Sequence, residues 1–584
     1  MKEKVSLTCF NPQGVVKVSA PSGLTNPRLK DLAGKKIGIF WDGKKGGDNF
    51  CIAVEELLKK RYPTASTIRL IWGDVEAAEK AKKEVDTFIY GVGDSGMGGW
   101  GQSRQVIELE KLGKPGIFIV GDNAVHTARM SAEAGGMPAL RMVSLPSLDY
   151  YPNRLTVEGL RPVVEAVIDP IIDALTRPLT PEEVNPELKP QKEMAGTIEI
   201  TAENFESALD KFNQLYLENH WGDGLPLVPP TDESVKRMLT GTNRSPEEEI
   251  GTVPFRNGIA TIEKIAVNAV MAGAKPEYLP VIIAAMEGII DENSSFSHMM
   301  SSEGSFTLMI MVSGPIAKEI DMNCGVGLLG HGWQANNTIG RAVRLCLINI
   351  GYLWPGEIDM ALIGRPSSHT FYTFAENMEQ SPWESFNEGL GYKPEDSCVT
   401  VSTVGGAARI FGGGVVEPWN VENVLNTLVQ EVAGDRATFA QYKLGVANPF
   451  AHLRKHIMVI HPELAIILQR SGYKTKRSLR DYIYESTKVP YEELSAQEIQ
   501  GIQDRINTKP GGSFFANDAF SEGQLSVMKE VLKPGGKVPV VDPGDIHIIV
   551  SGSIPGYSFG MSYFRSAHQT KLIRGATLTK SGRL

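Results

Sequence analysis

From residue 1 to 176, short apolar runs alternate with amphipathic ones. KKIGIFW (35–41), STIRLIW (66–72), DTFIYGV (86–92), KPGIFIV (114–120) and PALRMVSL (138–145) are each bounded by Gly, Pro or Asp and have strand length. Between them, NFCIAVEELLKKRY, EAAEKAKKE, RQVIELEKLG and HTARMSAEAG repeat apolar positions with helical period. Strands alternating with helices predict βαβ units on a parallel sheet, of flavodoxin- or Rossmann-like type. Residues 177–196, RPLTPEEVNPELKPQKEMAG, carry four prolines and few apolar groups, which reads as a linker or strap. From 197 to 584 long helical patterns, such as TIEKIAVNAVMAGAKP and ANNTIGRAVRLCLINIGYL, are broken by glycine-rich segments. The pattern predicts a larger mixed α/β region with no readable strand order, and a mainly helical subdomain near 448–510. The fold class is therefore α/β, in two domains.

The predicted strands end in a repeated way. Asp42-Gly43, Gly73-Asp74, Gly93-Asp94 and Gly121-Asp122 follow four of them. In open α/β sheets ligands bind outside the carboxyl ends of the strands, although an Asp before a helix is also an ordinary N-cap. One of these turns, GVGDSGMGGWGQS (91–103), is richest in chemistry. The backbone N–H groups of Gly96, Met97, Gly98 and Gly99 open a helix and suit a carboxylate or carbonyl oxygen. Asp94 disfavours a phosphate there, and the Walker and dinucleotide patterns do not fit. Ser95 lies in G-D-S-G-M, not in the G-x-S-x-G of a nucleophile elbow, so a hydroxyl that hydrogen-bonds substrate is the better reading.

In the second region, NCGVGLLGHGWQANNTIGRAVR places His331 among glycines 325, 327, 330 and 332, then opens a helix at Asn336, Asn337 and Thr338. Arg341 lies on that helix, with Arg344 a turn beyond. An Arg fork binds a carboxylate bidentately, but it equally pairs with a structural acid, and Asn337 equally caps the helix. Glu263 and Asn268 interrupt an apolar helical pattern, as Glu376 and Asn377 do before SPW; buried charge must be paired or functional. His298 and His369 read as polar loop residues able to act in proton transfer. His452 and His456, spaced HLRKH with His461 following, could share a helical face; with no carboxylate between them, a solvated basic face is the expected outcome and no metal site is assigned.

Composition narrows the function classes. The chain has 584 residues, 42% hydrophobic and 22% charged, with a net charge of −9 and no long basic block, which argues against nucleic acid or an anionic membrane as partner. No apolar stretch is long enough to span a bilayer, and no signal peptide is expected. Five scattered cysteines with no CxxC fit a reducing cytoplasm. No cofactor fingerprint is recognisable, so the cofactor stays unknown, with a flavin or a mononuclear metal open. A homo-oligomer is compatible with this size.

The stretch GVGDSGMGGW, followed by ELEKLGKPGIFIV, resembles the UGSC family of selenoproteins and their cysteine forms, and more remotely the selenocysteine segment of the glycine reductase B component. WDGKKGGDNF is similar to that family's Asn-Gly-Lys-Pro-Asn loop, with Gly43, Lys44 and Asn49 or a neighbour in matching places. The resemblance covers roughly residues 13–175. It implies that the family's selenocysteine falls on Ser95 and its later cysteine on Gly98. A serine hydroxyl cannot form the selenenyl-sulfide or disulfide of reductive cleavage. DGLPLVPPT, TIEKIAVNAVMAGAKPEYLP, GHGWQANNTIGRAVRL and FAENMEQSPW resemble the domain that accompanies some UGSC domains in longer bacterial proteins, where a cysteine often stands at the position of Ala274.

These readings lead to an enzyme of small-molecule metabolism that acts on a carboxylate-bearing substrate by lyase, hydratase or condensation chemistry between its two domains. The backbone of Gly96–Gly99, Lys44, Asn336, Asn337, Arg341 and Glu376 would bind, Ser95 and Asp94 would hydrogen-bond or relay a proton, and His331 or Glu263 would be the general base. One alternative is a thiol-dependent reductase or reductase component, for which Cys324 is the one cysteine placed in a glycine-rich loop. Another is a non-catalytic homologue that binds the metabolite.

Overall fold

A computed structural model of the chain describes residues 4–577, apart from 18–21, 42–45, 72–74, 188–195, 295, 366, 368, 406, 413–420, 443–453, 508–519, 540, 554–556 and 565–567. The expected alternation is present. After a first strand β1 (Val5–Phe10) come β2 (Lys36–Trp41), α1 (Gly47–Arg61), β3 (Ser66–Ile71), α2 (Val75–Glu84), β4 (Thr87–Gly93), α3 (Gly96–Lys111), β5 (Gly116–Gly121), α4 (Val125–Ala134), β6 (Met142–Leu145), α5 (Ser147–Asn153) and α6 (Val157–Thr176). Strands β2 to β6 form one parallel sheet in the order β3-β2-β4-β5-β6.

Side chains on a strand alternate between faces, and here the alternation sorts by type. Ile37, Ile39, Ile89, Ile117 and Ile119 pack under α1 and α6 with Phe50, Val54, Val164 and Ile168. Phe40, Phe88, Tyr90 and Phe118 pack on the other face with Val106 of α3 and Ala128 of α4. Strands covered on both faces lose their polar positions, and β4 and β5 are buried along their whole length. Glu110, near the end of α3, is tied to Arg28 at 2.7 Å with both side chains almost wholly buried, and it accepts from Gly116 N at 3.0 Å.

The second region is mixed α/β. One four-stranded sheet has the order Tyr372–Ala375, Thr307–Ser313, Cys398–Val404, Gln569–Leu572; another has Ala407–Gly412, Tyr557–Phe564, Arg454–Ile460, Ile546–Val550. The helices Ile262–Met271, Leu279–Ile289 and Gln334–Asn349 share one large apolar core with the first of these sheets. Two features cross from the N-terminal domain. β1 pairs antiparallel with β7 (Thr197–Ala202), from Val5 opposite Ala202 to Phe10 opposite Thr197. Beyond it, Lys264 Nζ donates to Asn11 O at 2.6 Å and Tyr352 Oη to Gly14 O at 2.9 Å. Residues 5–16 therefore lie on the second region, on the other side of the expected linker. In addition, Trp100 of α3 enters the large core, edge-on to Phe255 with centroids 4.9 Å apart.

The segment 448–510 is less helical than the sequence suggested. Its first described element is the strand Arg454–Ile460, paired on both sides, and helices follow at Pro462–Arg470, Lys476–Thr487 and Ala496–Ile506. HIMVI is a continuous, largely apolar run buried from end to end, so His456 is a buried strand residue and not part of a solvated helix face. His452 lies outside the described residues. His461 is the N-cap of the next helix, its Nδ1 accepting from Leu464 N. Among the described residues no helix is long and apolar enough to cross a membrane.

Candidate functional site at the switch point of the parallel sheet

In the order β3-β2-β4-β5-β6 the winding reverses between β2 and β4, which opens a crevice outside the carboxyl ends of those strands. The loop after β2, with Lys44, lies outside the described residues. The loop after β4 carries Asp94 and Ser95. Ser95 takes an extended backbone and is the N-cap of α3, its Oγ accepting from Gly98 N at 3.0 Å. A Cβ placed on Gly98 would stand 3.1 Å from Ser95 Oγ. A side chain at position 98 would thus face that of Ser95.

Asp94 is not the cap; it is buried beside Arg154, whose Nη1 reaches its Oδ2 at 3.4 Å. The Asp94 carbonyl accepts from Asn123 Nδ2 at 3.1 Å and from the Tyr151 hydroxyl. Ser147 Oγ holds Asn123 by donating to its Oδ1 at 2.6 Å, and Ser147 N donates to Asp122 Oδ1 at 3.1 Å. Hydrogen bonding by Ser147 holds the Asp122 carboxyl below its usual range. On the other side Asn49 Nδ2 donates to Arg154 O at 3.1 Å. Gly46 has a positive φ of 84°, and a side chain there would run into that same carbonyl. The segments that follow β4, β5 and β6 therefore bring Asp94, Ser95, Asn123, Ser147, Tyr151 and Arg154 together.

The crevice is covered by the second region. Glu303 Oε1 accepts from Gly96 N at 2.5 Å. A Cβ on Gly96 would fall 2.2 Å from Ser301 O and 2.6 Å from Met360 Cγ. The cradle expected to be open to a ligand thus holds a carboxylate of the chain itself. Met97 packs against the large core, and Gly99 lies against Ala124, where a Cβ would approach its carbonyl to 3.0 Å. A cavity of about 470 Å³ exists elsewhere, beside Arg129, Arg141 and Glu183, near the start of β6.

Residues 8–177 match the model of the UGSC family. They form a UGSC-family domain. No curated protein matches the chain. The match ends at the foot of α6, so the UGSC domain supplies Asp94, Ser95, Asn123, Tyr151 and Arg154, while Glu303 comes from beyond it.

The candidate residues of the second region have structural partners. Arg341 forks onto Asp223, Nε to Oδ2 at 2.7 Å and Nη2 to Oδ1 at 2.9 Å, and also donates to the carbonyls of Leu225 and Pro226. Burial opposes the charge of Asp223, yet the hydrogen bonds and charge of Arg341 hold its carboxyl below the usual range. The paired reading of Arg341 is the one realised. Asn336 is buried, bonded to the backbone of Asn323 and Thr373. Asn337 does not cap the helix, which starts at Gln334; its Nδ2 donates to Trp333 O at 2.9 Å. Glu376 is buried and accepts from Ser313 Oγ, Phe386 N and Lys476 Nζ, the last at 3.2 Å. Asn268 bonds Pro12 O and Asn349, while Glu263 is half-buried in the first turn of its helix. His331 is exposed. His298 belongs to a short helix, Phe296–Met300, and not to a loop. His369 Nδ1 lies 3.9 Å from Asp223. Burial pushes the Cys324 thiol up, and the other four cysteines are buried. Among the described residues no group of three or more His, Cys, Asp or Glu is arranged to hold a metal.

Sequence reasoning passed over Glu303, Asn123, Tyr151 and Arg154. Asn123 directly follows a strand-end Asp that was noticed. Glu303 is the one acid in NSSFSHMMSSEGS after Asn293, a stretch read only for its histidine. Arg154 follows DYYPN with no pattern to mark it.

Proposed function

We propose that the chain is an enzyme of small-molecule metabolism that acts on a carboxylate-bearing substrate by non-redox chemistry, of lyase, hydratase or condensation type, at the switch point of its UGSC domain. The observation that carries this reading is the convergence of Asp94, Ser95, Asn123, Tyr151 and Arg154 at the ends of three parallel strands, with a hydroxyl where the family resemblance implies a chalcogen. That Gly96 N–H already receives a carboxylate, from Glu303, supports the anion preference. In this proposal Arg154 and the Gly96 N–H, once Glu303 leaves it, hold the substrate carboxylate, and Ser95 donates a hydrogen bond to its reacting oxygen; the Gly98 and Gly99 N–H groups are spent on Ser95 itself. Asp94 carries the proton. Arg154 replaces Arg341 in this scheme, because the Arg341 fork is taken by Asp223.

The test is a panel of small carboxylates, assayed for both binding and turnover, with Ser95→Ala and Arg154→Met. Loss of one donor to a developing oxyanion costs about a hundredfold in kcat. We expect a loss of that size for Ser95→Ala and a raised KM for Arg154→Met. Unchanged kinetics in both variants defeats the assignment. Binding without turnover favours a non-catalytic homologue. Turnover abolished by iodoacetamide would bring back the thiol alternative, which the raised pKa of Cys324 disfavours.

A further inference from the structure

We propose that the loop 301–306 is a gate over the switch-point crevice and that Glu303 is its latch; the proposal rests on the crevice being the working site. The loop has a fixed base. Arg365, itself buried, donates from Nη1 to Phe306 O at 2.5 Å and to Met299 O at 3.5 Å, and from Nη2 to Met300 O. One guanidinium therefore grips both ends of the loop. It is held in turn by Asp359, Nε to Oδ2 at 3.0 Å, and the Arg344 guanidinium lies 4.0 Å from the same carboxylate. The residue after Asp359 is Met360, which also touches the Gly96 surface.

Between these anchors the chain is built to turn. Ser302 Oγ accepts from Gly304 N at 3.1 Å, and Ser305 takes a positive φ of 52°. The tip residue, Glu303, is only half-buried, and it reaches across to Gly96 N at the start of α3. A carboxylate gains from N–H groups at a helix start, but a partly exposed contact of this kind is reversible. A rigid base and a reversible tip over a crevice at strand ends are the parts of a closing loop. Because the latch is a carboxylate, an incoming carboxylate competes with it, so binding and opening are linked. Position 96 also has to be glycine for the gate to seat, since any Cβ there meets Ser301 O.

Hydrogen exchange followed by mass spectrometry tests the gate without a ligand. In the full chain, Glu303→Gln removes the charge and Glu303→Asp shortens the reach. Both should speed exchange in the peptide covering residues 94–100 by about tenfold, the scale of a lost charge-assisted hydrogen bond. Exchange in β5 should stay unchanged and reports that the fold is intact. Unaltered exchange at 94–100 in both variants overturns the gate, whatever the protein binds. With acetate or a larger carboxylate added, the Glu303→Gln protein should bind at least several-fold more tightly than the parent. Faster exchange with no carboxylate binding in any protein keeps the gate and defeats the functional reading.

Discussion

At the scale of single residues, burial decides what each polar group does. Arg341 and Glu376 stood open in the sequence between ligand binding and structure, because spacing shows that a charge lies on an apolar face but not what waits opposite it. Their partners, Asp223 and Lys476, lie far away in the chain. Ser95, read in the sequence for its hydroxyl, is the N-cap of α3, bonded to Gly98 N three residues on. His461 gives a test at this scale. Burial drives its ring pKa from 6.5 down to about 4. The folded protein keeps the ring neutral while the unfolded chain takes up a proton, so stability is full above pH 6.5 and falls as the pH drops towards 4. The loss is on the order of 3 kcal/mol. His461→Asn keeps an N-cap and removes the titration; urea unfolding at pH 7 and at pH 4.5 should show a smaller difference between the two conditions than the parent does. An equal or larger difference would mean that other groups set the acid sensitivity.

Among elements, the UGSC domain was readable and the second region was not, for one reason. In βαβ units each strand pairs near its sequence neighbours, so period-two apolar runs and the helices between them determine the layers. In the second region the strand Gln569–Leu572 pairs with Cys398–Val401, and Tyr557–Phe564 lies beside Arg454–Ile460. No local pattern encodes such partners. The helix α3 joins the two levels. Its first turn forms the rim of the site, its fifth residue, Trp100, is an apolar anchor in the neighbouring core, and Glu110 locks its far end to Arg28. Trp100→Ala should cost about 3–5 kcal/mol. Scanning calorimetry should then show the UGSC domain and the second region melting apart, while Trp100→Phe costs less. A single transition at the parent temperature would mean that Trp100 is not what joins them.

For the whole molecule, the two regions are held together by more than a linker. β1 and the stretch up to Val16 run along the second region, where Tyr216 Oη donates to Phe10 O and Asn268 Nδ2 to Pro12 O. A chain starting at residue 22 takes the acceptor of Tyr216 Oη and one of the two acceptors of Asn268 Nδ2, and leaves β7 without its partner. At about 1–3 kcal/mol for each unsatisfied group, the second region should melt on the order of 10 °C lower, with the parallel sheet little changed. Equal melting of both regions would contradict this division. The same strand pair has a consequence for biosynthesis. The ribosome delivers β1 before the parallel sheet, but β7 emerges only after the whole UGSC domain has been made. The parallel sheet can close in that interval while its leading strand waits with both edges unpaired, a surface open to other chains. Translation speed through the proline-rich segment before β7, or a chaperone that shields the first residues, would then set how much of the protein assembles and how much aggregates.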